Sequence, residues 1–88
     1  MTNKFNYFIG NWKMFGDLSS IRLIKKININ LNRFKKNKFK VVFCIPYTLI
    51  NSYSKQLNQS NISIGAQNVH YLYEYGSYTG SINSKMIK

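Results

Sequence analysis

Val41 to Ile45, within "KVVFCIP", form an unbroken apolar run rather than an alternating one. Alternation marks a strand with one wet face, whereas a short continuous run suits a strand covered on both faces, as in parallel sheets. Pro46 stops the run and fits the first turn of a helix. Parallel strands need a crossover between them, usually helical. This one segment therefore predicts helices on either side of it and further strands beyond them.

The rest of the chain supplies those elements. Asn6 to Trp12 is short, aromatic-rich and bounded by glycine, which predicts a first strand. From Asp17 to about Phe34, Leu23, Ile24, Ile27, Leu31 and Phe34 recur at helical spacing and form the expected inward face. Arg22, Lys25, Asn28, Asn32 and Lys36 make the polar face, and Asp17, or Ser19 or Ser20 behind it, can cap the start. "FKKNKFK", Phe34 to Lys40, ends this helix and leads to the second strand. Leu49, Ile50, Tyr53 and Leu57 line one side of a second helix over Tyr47 to Gln59, and "ISIGA", Ile62 to Ala66, is a third strand. The order is β-α-β-α-β, an α/β fold with parallel strands and right-handed crossovers.

The tail follows neither period. Residues 69–83, "VHYLYEYGSYTGSIN", carry two glycines and four tyrosines and read as a long loop. Ser84 can cap a last helix, of which "KMIK" is only the first turn. With 88 residues and an end where an element begins, residues 1–88 are expected to form a single partial domain.

Thirteen Lys and Arg face two acidic residues, Asp17 and Glu74, for a net charge of +11. Such an imbalance normally points to nucleic acid or an anionic membrane. Lys, Asn, Ile, Tyr and Phe are all plentiful while Ala occurs once and Arg twice, the pattern that A/T-rich codons produce without any polyanion partner. Codon drift is the preferred source of the charge, and a small basic module using Lys for phosphates and Tyr for stacking is the competing function. The lysines are spread over helix, linker and tail rather than gathered on one expected face. Cys44 is the sole cysteine, so no internal disulfide or thiol metal cluster can form, and a buried inert thiol is expected. The sequence has neither an apolar signal core at its start nor a stretch long enough to span a bilayer, which predicts a cytoplasmic protein without membrane association.

Ligands of parallel α/β folds bind at the carboxyl ends of the strands. Three stretches qualify: Asn11 to Gly16, Cys44 to Thr48, and Gln67 onward. No GxGxxG or GxxxxGK[ST] loop occurs, which counts against nucleotide binding. In "FIGNWKMFG", Asn11 and Lys13 are two apart, so in extended chain they point to one side. A solvated lysine after a strand is one reading of Lys13. The other is a fixed positive charge for an anionic substrate or developing oxyanion, with Trp12 bracing the turn and Gly16 letting the backbone fold tightly.

These residues carry a resemblance. "GNWKMFG" is similar to the amino-terminal signature of the triosephosphate isomerase family, "GAQNV" at Gly65 to Val69 resembles the end of its third strand, and "GSYTGSINSKMIK" at Gly76 to Lys88 its third loop and following helix start. The resemblance implies the first three β/α units of a TIM (β/α)8 barrel, with the barrel not closed by these residues. It implies interconversion of glyceraldehyde 3-phosphate and dihydroxyacetone phosphate, with no cofactor and no metal. Lys13 would be catalytic and substrate-binding, holding the phosphate-bearing substrate and stabilising the enediolate, while Asn11 would hydrogen-bond a substrate oxygen. The family's Glu base and neutral His electrophile, for which this enzyme is the stock illustration, belong to later strands and are not matched here. His70 lies outside the family's Gly-His-Ser-Glu motif and is assigned as an ordinary loop residue, and Glu74 as a solvated carboxylate. The resemblance also implies a homodimer through the loop 69–83, with Tyr78, Thr79 and Gly80 at the tip that enters the partner subunit and Gln67 shaping its base. Where the family usually has Glu after Thr-Gly, this chain has Ser81, which removes an expected polar contact at the interface. Tyr71, Tyr73, Tyr75 and Tyr78 have plain packing of the loop on its own barrel as their simpler reading. An inactive truncated remnant is the third function considered, and these 88 residues on their own are expected to lack isomerase activity.

Overall fold

The computed structural model describes residues 4–34 and 38–88. Lys36 of the expected polar helix face therefore lies outside the described residues. Strand β1 spans Asn6–Asn11, α1 Ile21–Leu31, β2 Phe39–Ile45, α2 Tyr47–Gln56, β3 Ile62–Ala66 and α3 Ser84–Ile87. Short 3-10 turns, Leu18–Ser20 and Asn32–Phe34, bracket α1. The three strands form one parallel sheet in the order β1-β2-β3.

The register sorts the strand residues into two faces. Phe8 pairs with Val41 and Gly10 with Phe43, and Val41 and Phe43 pair in turn with Ile62 and Ile64. Val41, Ile45 and Ile62 on this face join Ile21 and Ile24 of α1 and Leu49, Tyr53 and Leu57 of the second helical segment in one buried cluster. Tyr53, Ile24 and Ile45 are the largest fully buried side chains. Each such burial is worth about 1.5–3 kcal/mol, enough to hold both helices to the sheet.

The opposite face is different. Ile9, Val42 and Ser63 are in register, as are Asn11, Cys44 and Gly65. Ile9 is 65% exposed, and Val42 and Cys44 are only half-buried. The apolar run of β2 is thus covered on one face and partly open on the other, so the expected burial of Cys44 is incomplete.

Helix α1 also departs from expectation. Its buried residues are Ile21 and Ile24, while Leu23 is 60% exposed and Ile27 and Phe34 are exposed as well. Ile27, Leu31 and Phe34 line an apolar groove with Phe8, Phe39 and Val41, so the wide apolar stripe of α1 overhangs the β1 edge. Leu23 lies instead beside Trp12, Phe15 and Gly16. Periodicity found the stripe, but the width of the sheet beneath decides how much of it is buried.

The second helix ends at Gln56, shorter than the expected Gln59, although Leu57 still packs in the core. The loop between β3 and α3 is better tied than its sequence suggests. His70 N–H donates to the Ile82 carbonyl at 2.7 Å. Asn83, 5% exposed, donates from its amide to the carbonyls of Tyr73 and Glu74, both at 3.0 Å. Its Oδ1 accepts from Met86 N–H at 3.0 Å, so Asn83 and not Ser84 caps α3.

Candidate active site

The carboxyl ends of the three strands meet around Lys13. Strand β1 ends at Asn11, and the Trp12 N–H donates to the Cys44 carbonyl at 3.0 Å, carrying the pairing one residue further. Lys13 then turns into the left-handed region with φ 58°, the only non-glycine to do so among the described residues. Two side chains hold it there. Asn11 Oδ1 accepts the Lys13 N–H at 2.8 Å, a side-chain turn of the kind Asn favours. Gln67 Nε2 donates to the Lys13 carbonyl at 2.6 Å.

This geometry refines what Asn11 can do. Its oxygen accepts from the backbone of Lys13, while the amide Nδ2 keeps its donors. Asn11 and Lys13 are both exposed.

Behind Lys13 the turn is braced. Trp12 packs edge-on against Tyr53 at 5.8 Å and against Phe43 at 6.3 Å. Gly16 has φ 106°, and a Cβ there would sit 2.7 Å from the Trp12 ring. Only glycine satisfies both the angle and the contact. The Tyr53 hydroxyl donates to the Asp17 carbonyl, fixing where the chain enters the helical segment. Asp17 accepts from Ser19 N–H at 2.9 Å and Ser19 Oγ at 2.6 Å, and Ser20 Oγ returns the favour at the Asp17 N–H, a capping box. The Ser19 hydroxyl and amide hold the Asp17 carboxyl below its ordinary range, with help from Ser20. Burial pushes the Tyr53 phenol up.

The loop that carries Tyr78, Thr79 and Gly80 has contacts of its own. Gly80 turns it with φ 79°, and Tyr78 stacks on His70 at 4.3 Å between centroids. His70 Nδ1 accepts the Leu72 N–H at 3.2 Å and the ring stacks on Tyr71, so this residue organises the loop rather than merely occupying it. Tyr71, Tyr73, Tyr75 and Tyr78 are all exposed, Tyr71 at 86%. Glu74 is solvated as expected and lies 3.6 Å from Lys85 Nζ, which also sits over Tyr73 and Tyr75. Among the described residues no His, Cys, Asp and Glu cluster could hold a metal ion, and no helix is long and apolar enough to cross a membrane.

A family model described as triosephosphate isomerase matches residues 6–88. The chain belongs to the triosephosphate isomerase family. The triosephosphate isomerase of Wolbachia pipientis wMel is 44% identical over 81 residues, covering 91% of this chain and 31% of that protein. That of Bartonella tribocorum is 33% identical over 82 residues, covering 93% of this chain and 32% of the relative. The crystal structure of triosephosphate isomerase from Bartonella henselae superposes with a TM-score of 0.79 at 32% identity, covering 93% of this chain and 32% of that one. The chain thus spans about a third of the length of the curated relatives it matches. Its open three-stranded sheet with α1 and α2 on one face is the β-α-β-α-β portion of a TIM barrel, which explains the half-bare face of β2 and the overhanging stripe of α1.

Two consequences of the braced turn are measurable in a triosephosphate isomerase barrel that carries these residues. Gly16→Ala strains the backbone and collides with Trp12, and is expected to cost about 2–4 kcal/mol, read as a lowered urea midpoint. The Ser19 amide resonance is expected to titrate with a midpoint below the ordinary Asp value of about 3.9, because Asp17 stays ionised longer in the folded state. The sign follows: the stabilisation by Asp17 is fully present above that ordinary value and is lost as pH falls through the lowered one. Asp17→Asn keeps a capping oxygen and is expected to remove this acid dependence.

Proposed function

We propose that these residues serve a triosephosphate isomerase that interconverts glyceraldehyde 3-phosphate and dihydroxyacetone phosphate in cytoplasmic glycolysis and gluconeogenesis. Residues 1–88 are its first three β/α units, a single partial domain. Lys13 supplies the fixed positive charge that binds the phosphate-bearing substrate and stabilises the enediolate, and Asn11 donates from Nδ2 to a substrate oxygen. The observation that carries this reading is Lys13 itself. An exposed lysine gains nothing from a strained backbone, yet the chain holds this one there with side chains from β1 and from the end of β3. Residues kept in costly conformations cluster at functional sites.

The loop 69–83, with Tyr78, Thr79 and Gly80 at its tip, is proposed as the homodimer contact, which accounts for a row of exposed tyrosines on a loop that is internally tied. Ser81 in place of the usual Glu weakens that contact. Neither a metal nor another cofactor is called for in this proton shuttle. A nucleic-acid partner is not favoured, because the family match runs through the lysine-bearing helix and the loops alike.

The test is a joined polypeptide in which residues 6–88 continue into the remaining two thirds of the Bartonella henselae enzyme, whose fold they share. Production of dihydroxyacetone phosphate from glyceraldehyde 3-phosphate supports the proposal. A folded joined chain without turnover refutes it.

A further inference from the structure

Gln67 lies just beyond β3, and sequence alone offers it only a part in shaping the following loop. Its side-chain amide does something else. Nε2 donates to the Lys13 carbonyl at 2.6 Å and lies 3.4 Å from the Cys44 carbonyl. Cys44 is the register partner of both Asn11 and Gly65, and its carbonyl already receives the Trp12 N–H. One neutral amide therefore ties together the carboxyl ends of all three strands, at the residue whose backbone is strained.

We propose that Gln67 is a positioning residue for turnover, locking the Lys13 backbone in its left-handed conformation and so setting the direction in which the ammonium leaves the strand end. The inference rests on the reading of Lys13 given under the proposed function. A left-handed non-glycine residue persists only where its surroundings over-determine it. Asn11 holds the Lys13 N–H from two residues away, a local contact that fixes the turn but not its place against the sheet. Gln67 holds the other end of the same residue from 54 positions away, and so registers the turn against β2 and β3. A donor is needed at this place, because the group it meets is a carbonyl. Glutamate, of the same shape but without a donor when ionised, cannot replace it.

The experiment uses the joined polypeptide with Gln67→Met and Gln67→Glu, the second guarding against a misfolded first. Turnover is measured for each, alone and combined with Lys13→Ala. Either substitution is expected to lower kcat/KM by up to about a hundredfold, the effect of misplacing a catalytic group by about an ångström. In the Lys13→Ala background neither is expected to add any loss, because Gln67 acts through Lys13. The strong intra-residue HN–Hα Overhauser effect of a left-handed Lys13 is expected in the unsubstituted protein and weakened in both variants. Losses that multiply with that of Lys13→Ala, a lowered melting temperature with kcat/KM retained, or an unchanged Overhauser effect would each overturn the proposal. Full turnover by Lys13→Ala alone would instead overturn the parent reading along with it.

Discussion

Lys13→Ala in the joined polypeptide is expected to lower turnover of glyceraldehyde 3-phosphate by about a hundredfold to a thousandfold, the loss that follows removal of one group stabilising a developing oxyanion. The same substitution is expected to leave the melting transition in place. The Lys13 side chain is exposed, and substitutions at such positions usually shift stability by less than about 0.5 kcal/mol. Nor does the backbone distinguish the two residues, since alanine at φ 58° carries the same left-handed strain as lysine. Glycine does not, so Lys13→Gly is expected to be more stable than either by about 1 kcal/mol while losing turnover equally. That combination, greater stability with less activity, separates a residue held for its charge from one held for packing. Steady-state kinetics and a urea titration of the three proteins check it, and turnover retained in Lys13→Ala would remove the ammonium from the site.

How far the sequence could see is set by the range of the interactions. The strands were legible because burial on a pleated sheet writes itself into consecutive residues: Val41–Ile45 and Ile62–Ala66 both lie within the observed strands. Gly16 was legible because a glycine need is a local property, but the two-residue alternation expected to aim Asn11 and Lys13 to one side does not apply, since the strand stops at Asn11 and Lys13 leaves it left-handed. The left-handed φ of Lys13 was not legible, because lysine carries no signal for it; it follows from Asn11 and Gln67 together. Gln67 and Asn83 were missed as anchors for the same reason, since each meets a carbonyl whose position depends on register or on the path of a loop. Leu23 was assigned inward and lies outward because a periodic stripe does not reveal how wide the surface beneath it is.

That missing width leads to the second large effect. The 88 residues expressed by themselves are expected to show no isomerase turnover above background and no sharp melting transition. Strands β1 and β3 each have one neighbour, so each leaves a row of backbone donors and acceptors unpaired along its free edge. Tyr7 and Ile9 stand exposed on one face of β1 and Phe8 on the other, beside the groove lined by Ile27, Leu31 and Phe34. A chain of this size buries only about two thirds of its unfolded surface even when compact, and so has little stability to set against such exposure. Turnover is expected to fail for a separate reason: in the proposed reading Lys13 and Asn11 bind and polarise the substrate, and neither is the group that moves a proton between its carbons. The polypeptide should therefore associate or fluctuate, with circular dichroism changing gradually on heating, and it should leave glyceraldehyde 3-phosphate unconverted. A cooperative melt accompanied by turnover would mean that three strands suffice for both the fold and the chemistry, and that the bare face of the sheet is no obstacle to either.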